Sequence, residues 1–147
     1  MTPEILLSAF GERIGVQGIA LNADNDVRVA FNERVVDIHY DRNRDIILFA
    51  STIANIIAVE SSFVFANILE LNLAHALTGA GTVGFDRREN KLHYVSFISM
   101  KGIDVDVFAE FIFSSIGMVE IWSKAVNSRE FSERPMSFSD AGASFKA

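Results

Sequence analysis

Few side chains in this sequence stand at spacings that could do chemistry. Gly79-Ala80-Gly81-Thr82-Val83-Gly84 has the letters of the dinucleotide-binding pattern G-x-G-x-x-G. That pattern needs a strand before it and a helix after it, so that the helix N-terminus faces the pyrophosphate. Here a helical pattern comes first and a strand pattern second, so the glycines read as a helix end and a turn. Asp41-Arg42-Asn43-Arg44-Asp45 begins like a calcium loop, but Ile46 stands where the turn needs glycine and Thr52 where it needs glutamate. Two arginines among the acids would also repel a cation.

His39, His75 and His93 fall on separate elements without ligand spacing, and there is no cysteine, so no metal is expected. No serine sits in a G-x-S-x-G elbow or a Ser-x-x-Lys pair. Asp104 and Asp106, two apart at a helix start, point in different directions and complement the helix dipole. Glu110 and Glu120 belong to a solvent face, and no acid is placed to have its pKa raised. No catalytic residue, metal or cofactor is expected, and the poverty of the inventory points to a binding protein.

The elements that would position a binding surface are easier to read. The chain has 147 residues, half of them hydrophobic and 22% charged, enough for one packed domain. A net charge of −6 argues against a nucleic-acid partner. No apolar run reaches the roughly 18 residues of a membrane span, and Met1-Thr2-Pro3-Glu4 does not open like a secretory signal. A cytoplasmic location is expected. Thirteen Phe against two Tyr and one Trp leave two readings open, a Phe-rich core or aromatic surface that meets a partner.

Thr2 as cap, Pro3 at the first helical position and Gly15 as terminator predict a first helix, with Leu6, Phe10 and Ile14 on one face beside Leu7 and Ala9. Val27, Val29 and Phe31 alternate with polar or small residues, as do Val36, Ile38 and Tyr40 after a turn at Asn32-Glu33. Two antiparallel strands follow from that pattern. The third run, Ile46 to Ile53, is apolar at nearly every position and reads as a strand covered on both faces.

Residues 59–77 predict a second helix with two apolar stripes. One is Val64, Ile68 and Leu71; the other is Phe65, Leu69, Leu73 and Ala76. A helix on one side of a small sheet needs one stripe, so the second implies a further partner, most simply a second copy across a two-fold axis. Thr82–Asp86 and Lys91–Ser99 form a hairpin across Arg87-Arg88-Glu89-Asn90. Asp104 caps a last helix, with Ile103 and Phe108 at staple spacing. Phe108, Phe111, Ile112, Ser115, Val119 and Trp122 line one face of it. From Asn127 onward no period is visible, so residues 1–126 form the domain and 127–147 a disordered tail, in which Phe131, Phe138 and Phe145 could dock. The fold class is α+β, in the order α-β-β-β-α-β-β-α, a twisted antiparallel sheet with helices packed on it, assembled as a homodimer.

These pieces together resemble the class I type III secretion chaperones, the family named for the Tir chaperone. The resemblance is carried by Leu6-Leu7, Phe10-Gly11 and Ile14-Gly15, by the Asp-rich turn before Val27, and by the strand pair through Tyr40. It continues through Leu69-Glu70-Leu71-Asn72-Leu73, the passage Gly79 to Asp86, and Asp104 through Trp122. It covers roughly residues 3–125 by pattern and element order. It implies a non-enzymatic, cytoplasmic bacterial homodimer. Such a chaperone holds the N-terminal segment of a secreted effector non-globular and delivers it to the secretion apparatus and its ATPase.

In the family the second helix and later strand pair carry the dimer interface, and the first helix and early strands receive the effector. Candidate dimer residues are therefore Val64, Ile68, Leu71 and His75. Candidate effector contacts are Leu6, Phe10, Val29, Phe31, Ile47 and Phe49, with an effector strand adding to a sheet edge. The alternative is a domain of similar α+β build that binds a small apolar ligand or serves regulation.

Overall fold

A computed structural model describes residues 1–56, 62–78, 81–128, 131, 133 and 135. The elements are α1 (Pro3–Ile14), β1 (Asp26–Phe31), β2 (Arg34–Asp41), β3 (Ile46–Asn55), α2 (Ser62–Thr78), β4 (Thr82–Asp86), β5 (Lys91–Ser99) and α3 (Val105–Val126). Their order is the expected one. Residues 59–61 of the expected second helix lie outside the described residues. The strands form one sheet in the order β1-β2-β3-β5-β4. β1–β2, β2–β3 and β4–β5 are antiparallel. So is the β3–β5 pair, since Met100 N–H reaches Asp45 O at 2.9 Å and Ile56 N–H reaches Asn90 O at 2.7 Å.

Short polar residues set the boundaries. The Thr2 hydroxyl accepts the Ile5 N–H at 3.3 Å, and Gly15 adopts φ 74° to end α1. Asn32, Asp45 and Asn90 turn the chain in the left-handed region that Asn and Asp tolerate. The Asp104 carboxylate accepts the N–H groups of Asp106 and Val107 at 3.0 and 2.9 Å, while Ile103 and Phe108 are both buried.

The chain divides into two compact units, Met1–Ser51 with Ser96–Ile116, and Thr52–Val95 with Gly117–Ala147. In the first unit α1 and the start of α3 close one face of the strands. Leu6, Leu7, Phe10, Ile38, Ile47 and Phe49 are buried there. Phe10 meets Phe108 edge to face at 5.2 Å, and Phe49 meets Phe111 at 6.4 Å. In the second unit Ile68, Leu71, Val83, Leu92, Tyr94 and Trp122 are buried. Ser123 donates to Ile53 O at 3.0 Å, and the His75 ring stands edge-on to Trp122 at 5.6 Å. Within the segment expected to lack order, Phe131 is buried in this unit and its carbonyl accepts Asn67 Nδ2–H at 2.7 Å. Phe138 and Phe145 lie outside the described residues.

Candidate functional site: an apolar cavity at the β1 edge

β1 ends the sheet on one side. Tyr40 N–H bonds to Asn25 O at 3.0 Å, which fixes the parity of the β1–β2 ladder. Asp26 therefore turns its backbone away from β2, and Asn22 meets it: Asp26 N–H reaches Asn22 Oδ1 at 2.9 Å and Asp26 O accepts Asn22 N–H at 2.8 Å. By the same parity the N–H and C=O of Ala30 point out of the sheet edge.

Beside Ala30 opens a cavity of about 550 Å³. Ile14 and Val16 from the end of α1, Phe31 from β1 and Phe113 from α3 supply its apolar wall, with Arg13 and Asn32 at the rim. Gly11 makes that wall possible. Val16 N–H returns to Gly11 O at 2.9 Å, and a Cβ at Gly11 would lie 2.6 Å from Val16 O. Phe113 is 51% exposed although it touches Phe10 at 6.2 Å, so one ring edge belongs to the core and the rest to the cavity. Arg13 is held by an ion pair to Asp106.

Of the six residues expected to contact an effector, only Phe31 lines the cavity. Leu6, Phe10, Val29, Ile47 and Phe49 are core residues of the first unit. Phe10, Phe108 and Phe111 pack over that part of the strands, and Phe31 at the end of β1 is left beside the cavity. The cavity residues missed in the sequence carried one signal. Phe113 is a large aromatic off the apolar face of α3, where a solvated position would ordinarily be polar.

On α2 the expected dimer residues are mostly turned inward. Ile68 is 4% exposed and Leu71 0%, His75 is buried and Val64 half-buried. Ile68, Leu71 and His75 are shielded by their own chain, and Val64 keeps part of its surface. The other stripe faces outward, with Leu69 69% and Leu73 56% exposed. Phe65 of that stripe packs against Phe85 of β4 at 5.3 Å.

The charged groups behave as solvated structure. Arg28 grips Asp37 through two bonds of 2.6 and 3.1 Å across the β1–β2 pair, and His39 Nδ1 lies 2.6 Å from Asp26. Asp41, in the loop that begins like a calcium site, is held below the usual carboxylate range first by the Arg44 side chain and then, against a smaller desolvation penalty, by backbone N–H groups. Hydrogen bonding to Asp45 raises the Tyr40 phenol. Burial lowers the His75 imidazole. Among the described residues no three His, Asp or Glu gather as a metal site, and no helix is long and apolar enough to cross a membrane.

The described residues form an α+β sheet bounded by helices, with an apolar cavity at an open edge. The chain belongs to the Tir chaperone protein (CesT) family, whose model matches residues 5–123. Solved structures share the fold. The ExsC–ExsE complex matches with a TM-score of 0.77 at 18% identity, over 86% of this chain and 95% of that one. The HopA1–SchA chaperone–effector complex matches at 0.68 and 14% identity, over 82% and 92% of the two chains. The Yersinia pestis type III secretion chaperone SycH, solved with a stable fragment of YscM2, matches at 0.64 and 18% identity, over 81% and 98%. Among curated protein sequences none matches significantly.

Proposed function

We propose that the protein is a cytoplasmic bacterial type III secretion chaperone, without enzymatic activity, that binds the N-terminal segment of a secreted effector and keeps it non-globular. The observation that carries this reading, beside the family, is the cavity of about 550 Å³ next to the outward-pointing backbone of Ala30. A segment laid along β1 can pair its backbone with the edge and drop an apolar side chain between Phe31 and Phe113. The proposed cycle ends with delivery of the bound effector to the secretion apparatus through its ATPase.

Two copies would pair through the outward stripe of α2. Leu69 and Leu73 are too exposed for two leucines one turn apart on a helix that makes no other use of them. A stable pair of this kind buries on the order of 1,200–2,000 Å² in total.

The test is co-expression with a candidate effector's N-terminal segment, followed by affinity capture, using the unmodified chain and Phe113→Asp. The unmodified chain should retain the segment, and Phe113→Asp should lose most of it while still melting cooperatively, at a temperature lowered only by the loss of the ring edge packed on Phe10. Equal retention by both would remove the cavity from the mechanism. The cavity is also of a size that suits a small apolar ligand. A molecule retained through purification, displaced by nothing polypeptide, would favour that second reading.

A further inference from the structure

Helix α2 is apolar on two sides, yet only one side is inside. Ile68 and Leu71 are buried while Leu69 and Leu73 stand out. Apolarity alone cannot make that choice. Rotation of α2 by rather more than roughly a third of a turn would exchange one leucine- and isoleucine-bearing stripe for the other.

What distinguishes the two settings is a pair of asparagines, Asn67 buried beside the inward stripe and Asn72 half-buried on the flank that meets β4, in line with Phe65. The Asn72 carboxamide accepts Val83 N–H at 2.8 Å and donates to Val83 O at 2.8 Å. It thereby exchanges both bonds with one residue of β4, as an opposing residue of a neighbouring strand would. β4 ends the sheet, so Asn72 stands where a sixth strand would otherwise pair. Five residues earlier, buried Asn67 donates to the carbonyl of Phe131 at 2.7 Å. Turning the helix would break all three bonds and bring no carboxamide in exchange. The outward stripe holds only Phe65, Leu69 and Leu73 at those levels.

We infer that Asn67 and Asn72 are positioning residues that fix the rotation of α2, and thereby select which of its two apolar stripes is offered to a second copy. A buried polar group that specifies register among otherwise equal apolar packings is the general precedent. The inference rests on the pairing reading for what the exposed stripe meets. The rotation itself is a property of one chain.

The protein has no cysteine, which makes the rotation directly readable. L69C and L71C are introduced separately into the full chain and their labelling by a maleimide is timed in dilute protein. The same is done in N67L/N72L, in N72L, and in N72D, which keeps the acceptor for Val83 N–H but loses the donor. With both asparagines present, L69C should react at least about tenfold faster than L71C, because the latter requires local opening. In N67L/N72L that ratio should fall at least about tenfold while the chain still melts cooperatively. N72L and N72D should fall between.

An unchanged ratio in a folded N67L/N72L chain would overturn the inference, leaving rotation to packing alone. So would loss of cooperative melting in all three asparagine variants, which would make the asparagines general stabilisers. Light scattering of the unmodified chain reads pairing separately. A single chain at every concentration would refute the pairing reading and leave the labelling ratio to decide the rotation.

Discussion

Phe131→Ala tests where the folded body ends. Phe131 lies beyond the family match at residues 5–123, yet is 2% exposed in the second unit, with its carbonyl bound by Asn67. Removing a fully buried phenyl ring costs roughly 3–5 kcal/mol, the transfer of the ring plus the cavity it leaves. The hydrogen bond involves the backbone and survives the substitution, so the loss belongs to the ring. For a chain of this size each kcal/mol shifts the melting temperature by about 2–4 °C, so the expected drop is about 6–20 °C. The assay is thermal unfolding by circular dichroism of the full chain, Phe131→Ala, and a chain stopped after Asn127. The stopped chain also deprives Asn67 of the Phe131 carbonyl and should melt at least as low. A shift under about 2 °C in both would show that Phe131 adds nothing to the core and that residues 1–127 suffice.

Leu69→Asp should leave the melt nearly unchanged while weakening pairing at least about 30-fold, a hot-spot loss near 2 kcal/mol, measured by sedimentation. Ile68→Asp, buried in the single chain, should do the reverse and unfold it. Gly11→Ala places a Cβ 2.6 Å from Val16 O and should cost about 1–3 kcal/mol, less the helix-propensity gain of alanine, read from the melt. Because Val16 lines the cavity, the same variant should also capture less effector segment. Burial holds His75 below its ordinary 6.5, so below that pH the unfolded chain takes up a proton that the folded chain refuses. Stability should therefore fall as pH drops from 6.5 toward the folded value, by at most about 1.4 kcal/mol per pH unit, and be unaffected above it. Urea unfolding of the unmodified chain and His75→Gln between about pH 7.5 and 5 checks this; parallel curves would refute it.

Element order and boundaries were legible because they are written locally. Thr2, Gly15, Asn32, Asn90 and Asp104 each act on the backbone within a few residues, and each sits where its conformation or cap requires. Which apolar faces stay bare was not legible, for a physical reason. Alternation along β1 and β3 groups Val29, Phe31, Ile47 and Phe49 on one face, but whether that face is bare depends on Phe10, Phe108 and Phe111, tens of residues away. The 3.6-residue period separates the two stripes of α2 and is silent on which turns inward. That choice needs the strand order, since Asn72 has something to bind only because β4 is an end strand. Phe113 was the readable exception, an aromatic ring out of phase with its own helix.

The two ends of the sheet differ in a way that bears on how much polypeptide must be captured. At β4 the outward backbone of Val83 is already occupied by Asn72, so an added strand would first have to displace α2. At β1 the groups of Ala30 point outward beside the cavity, and an incoming segment bears chiefly its own ordering. Two residues of such a segment lose roughly 2–4 kcal/mol of chain entropy. One of the two carries an outward-paired backbone, giving two hydrogen bonds worth together about 1–3 kcal/mol net. Its neighbour buries an apolar side chain worth roughly 1.5–3 kcal/mol. Each such repeat thus runs from unfavourable by about 1.5 kcal/mol at one end of these ranges to favourable by about 4 kcal/mol at the other. A lone hydrophobic residue in the Phe31–Phe113 cavity therefore binds weakly, and tight capture requires several repeats in succession. Shortening a bound segment residue by residue should weaken it in two-residue steps, whereas a site that depended on one anchor would show a single step at that anchor.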